Sequence, residues 1–144
     1  MRQIKFIAVH CTDTPSNTTV ESILNFWKTE RKWDRPGYHY IIKANGDVVK
    51  LLDEKLPSYG VKGFNESVIS IAYIGGRTKE GKSADTRTRA QEVALFDKIV
   101  EISNRYPKAE IKGHGTFPKA GKTCPNFDVK KWLADYTPDL GNAA

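Results

Sequence analysis

The stretch Ile4-Lys5-Phe6-Ile7-Ala8-Val9-His10 decides the fold. It is almost continuously apolar from Ile4 to Val9 and carries β-branched residues, the pattern of a strand covered on both faces. A central strand is predicted here, ending on a histidine.

Working outward, Thr18-Thr19-Val20-Glu21 matches a capping box, and Val20, Ile23, Leu24 and Trp27 recur at helical spacing. An amphipathic helix is predicted that ends near Trp33. Beyond Pro36-Gly37, the runs Tyr38–Lys43 and Asp47–Leu52 flank Asn45-Gly46, a pair suited to a tight turn between antiparallel strands. Ser67–Ile74 reads as another inner strand. Thr88-Arg89-Ala90-Gln91 opens a second, longer helix that Pro107 stops, Ala109–Lys112 is a short strand leading to His114, and Asp128 caps a last helix. Strands alternating with helices, interrupted by one hairpin, predict a single α/β domain over residues 1–136. Its central mixed β-sheet has about five strands flanked by about three helices, and 137–144 is a loose tail.

The chain has 144 residues, of which 39% are hydrophobic and 28% charged, enough for one domain with a real core and too few for two. Two cysteines, Cys11 and Cys124, exclude a disulfide-dense scaffold. A net charge of +6 favours an anionic partner such as nucleic acid, an anionic membrane surface or a wall polymer, without choosing among them. No stretch approaches the roughly 20 apolar residues of a membrane span. The N-terminus lacks the features of a signal peptide, so synthesis in the cytosol is expected, with another exit route for any work outside.

Two of the three histidines, His10 and His114, fall where strands should end, and Cys124 follows His114 by ten residues in a loop rich in Gly, Pro and Lys. Two imidazoles and a thiolate are the three protein ligands of a catalytic zinc site, with the fourth position left to water. Cys11 follows His10 directly, so strand alternation turns its side chain to the other face, and it reads as packing. Spacing alone leaves a second reading open, in which both histidines are satisfied structural groups and Cys124 is a small buried hydrophobe.

A larger pattern contains these residues. Ile7-Ala8-Val9-His10-Cys11-Thr12, Gly37-Tyr38-His39-Tyr40-Ile41-Ile42, Lys62-Gly63-Phe64-Asn65-Glu66-Ser67-Val68, Ile74-Gly75-Gly76, His114 and Cys124-Pro125-Asn126-Phe127-Asp128 follow one another over most of the chain. In this order they resemble the type 2 N-acetylmuramoyl-L-alanine amidases, a zinc family that includes certain phage lysozymes and the peptidoglycan recognition proteins. The resemblance implies that His10, His114 and Cys124 bind Zn2+, that Tyr38 and Lys122 flank the metal in catalysis, and that Asn65 faces substrate. It also implies peptidoglycan as substrate; no motif of a known nucleic-acid reader is visible, so no nucleic acid is expected, and the protein is expected to be a monomer. Two departures stand out. Many relatives carry a histidine shortly before the Lys-Gly-x-Asn block, where this chain reads Pro57-Ser58-Tyr59-Gly60-Val61, and some use a glutamate beside the zinc where Tyr38 stands. Two alternatives remain: a wall-binding module of the same fold that does not cut, and a metal-free hydrolase in which His114 activates Cys124.

Overall fold

The computed structural model describes residues 2–136. Strand β1 (Phe6–Cys11) lies inside the sheet, with every residue from Ile7 to Cys11 buried. It runs parallel to β4 (Val68–Tyr73) on one side and to β5 (Glu110–Gly113) on the other. Strand β2 (Tyr40–Ile42) extends the sheet parallel to β4, and β3 (Val48–Lys50) closes it antiparallel to β2. The order β3-β2-β4-β1-β5 is the mixed five-stranded sheet the sequence predicts. The hairpin strands are shorter than the runs Tyr38–Lys43 and Asp47–Leu52, because Leu51 and Leu52 both turn their N–H groups to the His39 carbonyl and end the ladder.

Alternation along the strands gives the sheet two different faces. On one, Ile7, Val9, Ile69 and Ile71 pack under helices α2 (Arg89–Arg105) and α3 (Val129–Asp135) through Leu95, Ile99, Ile102 and Val129. Burying each such aliphatic side chain contributes roughly 1.5–3 kcal/mol. On the other, helix α1 (Val20–Thr29) covers Ile41 and Ile74 with Ile23 and Trp27, while loop residues Val61 and Phe117 cover Ala8 and Val68. His10 and Ser70 belong to this second face.

The helix ends correct two expectations. The N-cap of α1 is Thr19, whose hydroxyl accepts from Ser22 N–H at 3.1 Å; Thr18 is engaged one turn earlier, donating to Pro15 O at 2.7 Å. The helix stops at Thr29 rather than near Trp33, since Lys32 adopts φ +59° and Trp33 N–H folds back to Trp27 O at 3.0 Å. Both halves of the capping box at Thr88 and Gln91 are formed as expected.

His39 is structural. Its Nδ1 accepts from Ser70 N–H at 3.0 Å and its Nε2 donates to Leu56 O at 2.8 Å, which assigns the neutral tautomer and ties β4 to the loop after β3. Arg2 grips the same region, donating to the carbonyls of Asn65 and Val68. The segment 137–144, expected to be a tail, lies outside the described residues.

Candidate active site

His10 is the penultimate residue of β1 and His114 directly follows β5. The parallel register pairs Val9 with Gly113, so the next residue of each strand is a histidine, and the two rings stand 4.7 Å apart at the carboxyl end of the sheet. Gly115 brings in the third group. A Cβ there would lie 2.2 Å from Lys122 O, and the Gly115 N–H donates to Cys124 O at 2.8 Å. The loop returning from Thr116 can therefore pass directly over the backbone beside His114. One nitrogen of each imidazole and the Cys124 Sγ all lie within 4.8 Å of one another, the one such grouping of three or more His, Cys, Asp or Glu side chains among the described residues.

The outer contacts orient these donors. His10 Nε2 is 3.0 Å from Ser70 Oγ, which leaves Nδ1 as the nitrogen available to a cation. Cys124 Sγ accepts from the Cys11 N–H at 3.1 Å, a bond that favours a thiolate once a cation is present. Tyr38 packs its ring 4.8 Å from that of His10 and donates its hydroxyl to Cys11 O at 3.2 Å.

Burial governs the protonation states. It holds His10 well below its ordinary value, with the charges of His114 and Lys122 adding to the effect. Burial, then Lys122, brings His114 down to about 4. Both imidazoles are thus neutral at pH 7, as metal ligands must be. Burial pushes Tyr38 far up, so it keeps its phenolic proton as a hydrogen-bond donor. Pairing with the Cys11 thiol, then burial, pushes the Cys124 thiol up. Without a cation Cys124 is a neutral thiol, a poor nucleophile. Two neutral imidazoles and a thiol that ionises on binding are the donor set of a tetrahedral zinc site, and the residues fit that ion.

Of the residues singled out in the sequence, His10, His114, Cys124 and Tyr38 come together. Lys122 is exposed, yet its charge is felt by both histidines and by Cys124. Asn65 stands apart from the cluster; its Oδ1 accepts from Val61 N–H at 2.7 Å and closes the loop between them. Cys11 is 3% exposed and is not part of the donor set, but its thiol pairs with that of Cys124 instead of turning away from it. Sequence reading missed Ser70 and the Cys11 N–H. Ser70 left a signal, a lone polar residue inside the apolar run Val68–Tyr73, whereas a backbone N–H leaves none.

A mixed α/β sheet with a His-His-Cys cluster at its carboxyl edge, two histidines from adjacent parallel strands and the cysteine from a returning loop, defines a single-domain protein built around one compact candidate metal centre. Residues 1–127 match the N-acetylmuramoyl-L-alanine amidase family, and the chain belongs to that family. It is an enzyme of that activity, acting on the amide that joins N-acetylmuramic acid to L-alanine in peptidoglycan. The endolysin of Escherichia phage T7 is 35% identical over 127 residues, covering 88% of this chain and 83% of the relative. Among solved structures, the endolysin of the Thermus scotoductus bacteriophage Ph2119 superposes with a TM-score of 0.78 at 27% identity, covering 93% of this chain and 84% of that one. Drosophila PGRP-LB shares the fold, with a TM-score of 0.75 at 14% identity over 94% of this chain and 82% of its own.

Proposed function

We propose that this chain is a zinc-dependent endolysin whose amidase unit comprises residues 1–136, and that His10, His114 and Cys124 hold the metal. The observation that carries this reading is the convergence of three donor atoms within 4.8 Å, two of them oriented by Ser70 and the Cys11 N–H. Zinc bound there would supply Lewis acidity and a nucleophile derived from water at neutral pH. Tyr38, with its proton retained, turns its hydroxyl from Cys11 O to the attacking water or the scissile carbonyl and orients it by hydrogen bonding. Lys122 swings its ammonium to the oxygen that becomes negative as the amide carbonyl is attacked, and stabilises that charge. Asn65, with its oxygen committed to Val61, presents its amide nitrogen to substrate. The enzyme acts as a monomer on the cell wall.

The neutral Cys124 thiol weighs against a metal-free cysteine hydrolase, and retention of Tyr38 and Lys122 weighs against a binding module that does not cut. Zinc quantification together with product analysis on purified peptidoglycan tests the reading. One zinc per chain and release of peptides with a new L-alanine amino terminus are expected. A well-folded, zinc-free sample that is fully active in chelator would overturn it in favour of the cysteine hydrolase.

A further inference from the structure

The chain carries two cysteines, and they meet at the end of β1. Strand β5 pairs with β1 only as far as Val9, opposite Gly113, so past Val9 that edge of β1 is left to the returning loop. The loop sets the Cys124 Sγ 3.1 Å from the Cys11 N and 3.6 Å from the Cys11 O, against the backbone of the residue whose own thiol pairs with it. Both thiols are free.

The residues after Cys124 are pinned to the same place. Asn126 donates through Nδ2 to Gly76 O at 2.9 Å and to Ala84 O at 3.1 Å, and Tyr73 donates its hydroxyl to Pro125 O at 2.7 Å. A Cβ on Gly76 would lie 2.5 Å from the Cys11 Sγ and 3.3 Å from the Asn126 Nδ2, so the Cys11 thiol and the Asn126 amide rest on one glycine. Joining the two sulfurs therefore takes side-chain rotation rather than loop movement. Cys11 is buried and Cys124 half-buried, so a small oxidant reaches Cys124 first. A residue that only filled this space could be alanine; a second thiol beside a candidate zinc ligand adds chemistry that alanine lacks.

We propose that Cys124 and Cys11 form a reversible disulfide when the metal-free chain meets a peroxide, with Cys11 the resolving partner that takes Cys124 out of the donor set and shields it from irreversible oxidation. The effect on zinc rests on the metal site proposed above; the disulfide itself does not. The Cys124 sulfur attacks one peroxide oxygen, the O–O bond breaks, and Cys124 sulfenic acid and one water form. The Cys11 sulfur then attacks the Cys124 sulfur, making the S–S bond and releasing the sulfenic oxygen as a second water. Two S–H bonds are lost, and two electrons pass from the sulfurs to the peroxide. A disulfide sulfur has no thiolate charge to offer a cation, which leaves two imidazoles. The sulfur that would bind zinc is the sulfur that is oxidised, so metal loading and disulfide formation exclude each other.

Zinc-free protein treated with hydrogen peroxide, digested without reductant and mapped by mass spectrometry tests this. A linked peptide pair containing Cys11 and Cys124 is expected from the monomeric fraction. Zinc uptake by the oxidised protein in equilibrium dialysis should fall below about a tenth of that of the reduced protein, and dithiothreitol should restore it. Protein loaded with zinc before the peroxide should keep its thiols unlinked. In Cys11→Ala, or in Cys11→Ser should the first variant not fold, nothing resolves the sulfenic acid; Cys124 proceeds to the sulfinic acid, and dithiothreitol no longer restores zinc uptake. Cys124 sulfinic acid beside a reduced Cys11 in the unmodified chain, or full recovery of the Cys11 variant, would overturn the proposal. If reduced, untreated protein takes up no zinc, the metal-site reading fails separately, and the peptide map still decides the disulfide.

Discussion

The two faces of the sheet are made by alternate residues of the same strands and are built on opposite principles. Ile7, Val9, Ile69 and Ile71 meet two helices in an apolar layer that any well-packed aliphatic set could fill. His10, Ala8 and Ser70 meet loops, and their arrangement depends on a glycine that lets backbone approach backbone and on single hydrogen bonds. The helix-covered face supplies stability, and the loop-covered face supplies chemistry. Substitutions on the two faces should therefore separate into losses of folding and losses of function.

The largest effect tests the sharpest form of that contrast. Cys124→Ser should abolish zinc binding and peptidoglycan hydrolysis together, while the metal-free protein keeps its stability within about 1 kcal/mol. Cys11→Ala, one residue past His10, should retain the metal and activity, because the contacts of Cys11 that orient the site are made by its backbone, whose N–H bonds Cys124 Sγ and whose carbonyl accepts from Tyr38. Metal analysis and turbidity assays on cell walls read both outcomes; equal loss in the two variants would break the division between faces.

Leu95→Ala, on the helix-covered face, should cost about 2–5 kcal/mol in urea unfolding yet leave the zinc content of the folded fraction unchanged.

His39 sharpens the comparison, being a histidine of the loop-covered side with a purely structural role. Burial holds its pKa at about 4, against roughly 6.5 in the unfolded chain. The unfolded state binds the extra proton between those values, so the contribution of His39 is complete above pH 6.5 and is lost as pH falls towards 4, by up to about 3 kcal/mol. Chelator-treated protein unfolded by urea at pH 7 and pH 4.5 should show a smaller drop for His39→Gln than for the unmodified chain.

Smaller effects dissect the site itself. Lys122→Ala should keep zinc and fold but lower turnover by roughly 10² in single-turnover kinetics on a muropeptide. An unchanged rate would make Lys122 an ordinary loop lysine. Ser70→Ala, which removes the partner of His10 Nε2, should weaken zinc affinity by roughly 10–100-fold in competition with a chelator, with little change in urea stability.

The strands and helices were legible because their signals are local. The apolar run before His10, the turn at Asn45-Gly46, the capping box at Thr88 and the cap at Asp128 each act within a few residues, and each appears where the chain predicts it. The local rule erred where two neighbours compete for one task, as at Thr18 and Thr19, or where a residue adopts an unusual backbone angle, as at Lys32.

By itself the sequence determined that His10 and His114 end strands and that Cys124 sits on a loop long enough to return, since periodicity and spacing are written along one dimension. Only the tertiary structure decided which groups orient them. Parallel pairing of β1 with β5 sets the histidines side by side, pairing with β4 brings Ser70 to His10, and the close pass over Gly115 delivers Cys124 to the Cys11 N–H. Those contacts join residues tens of positions apart, and packing in three dimensions, not local preference, selects them.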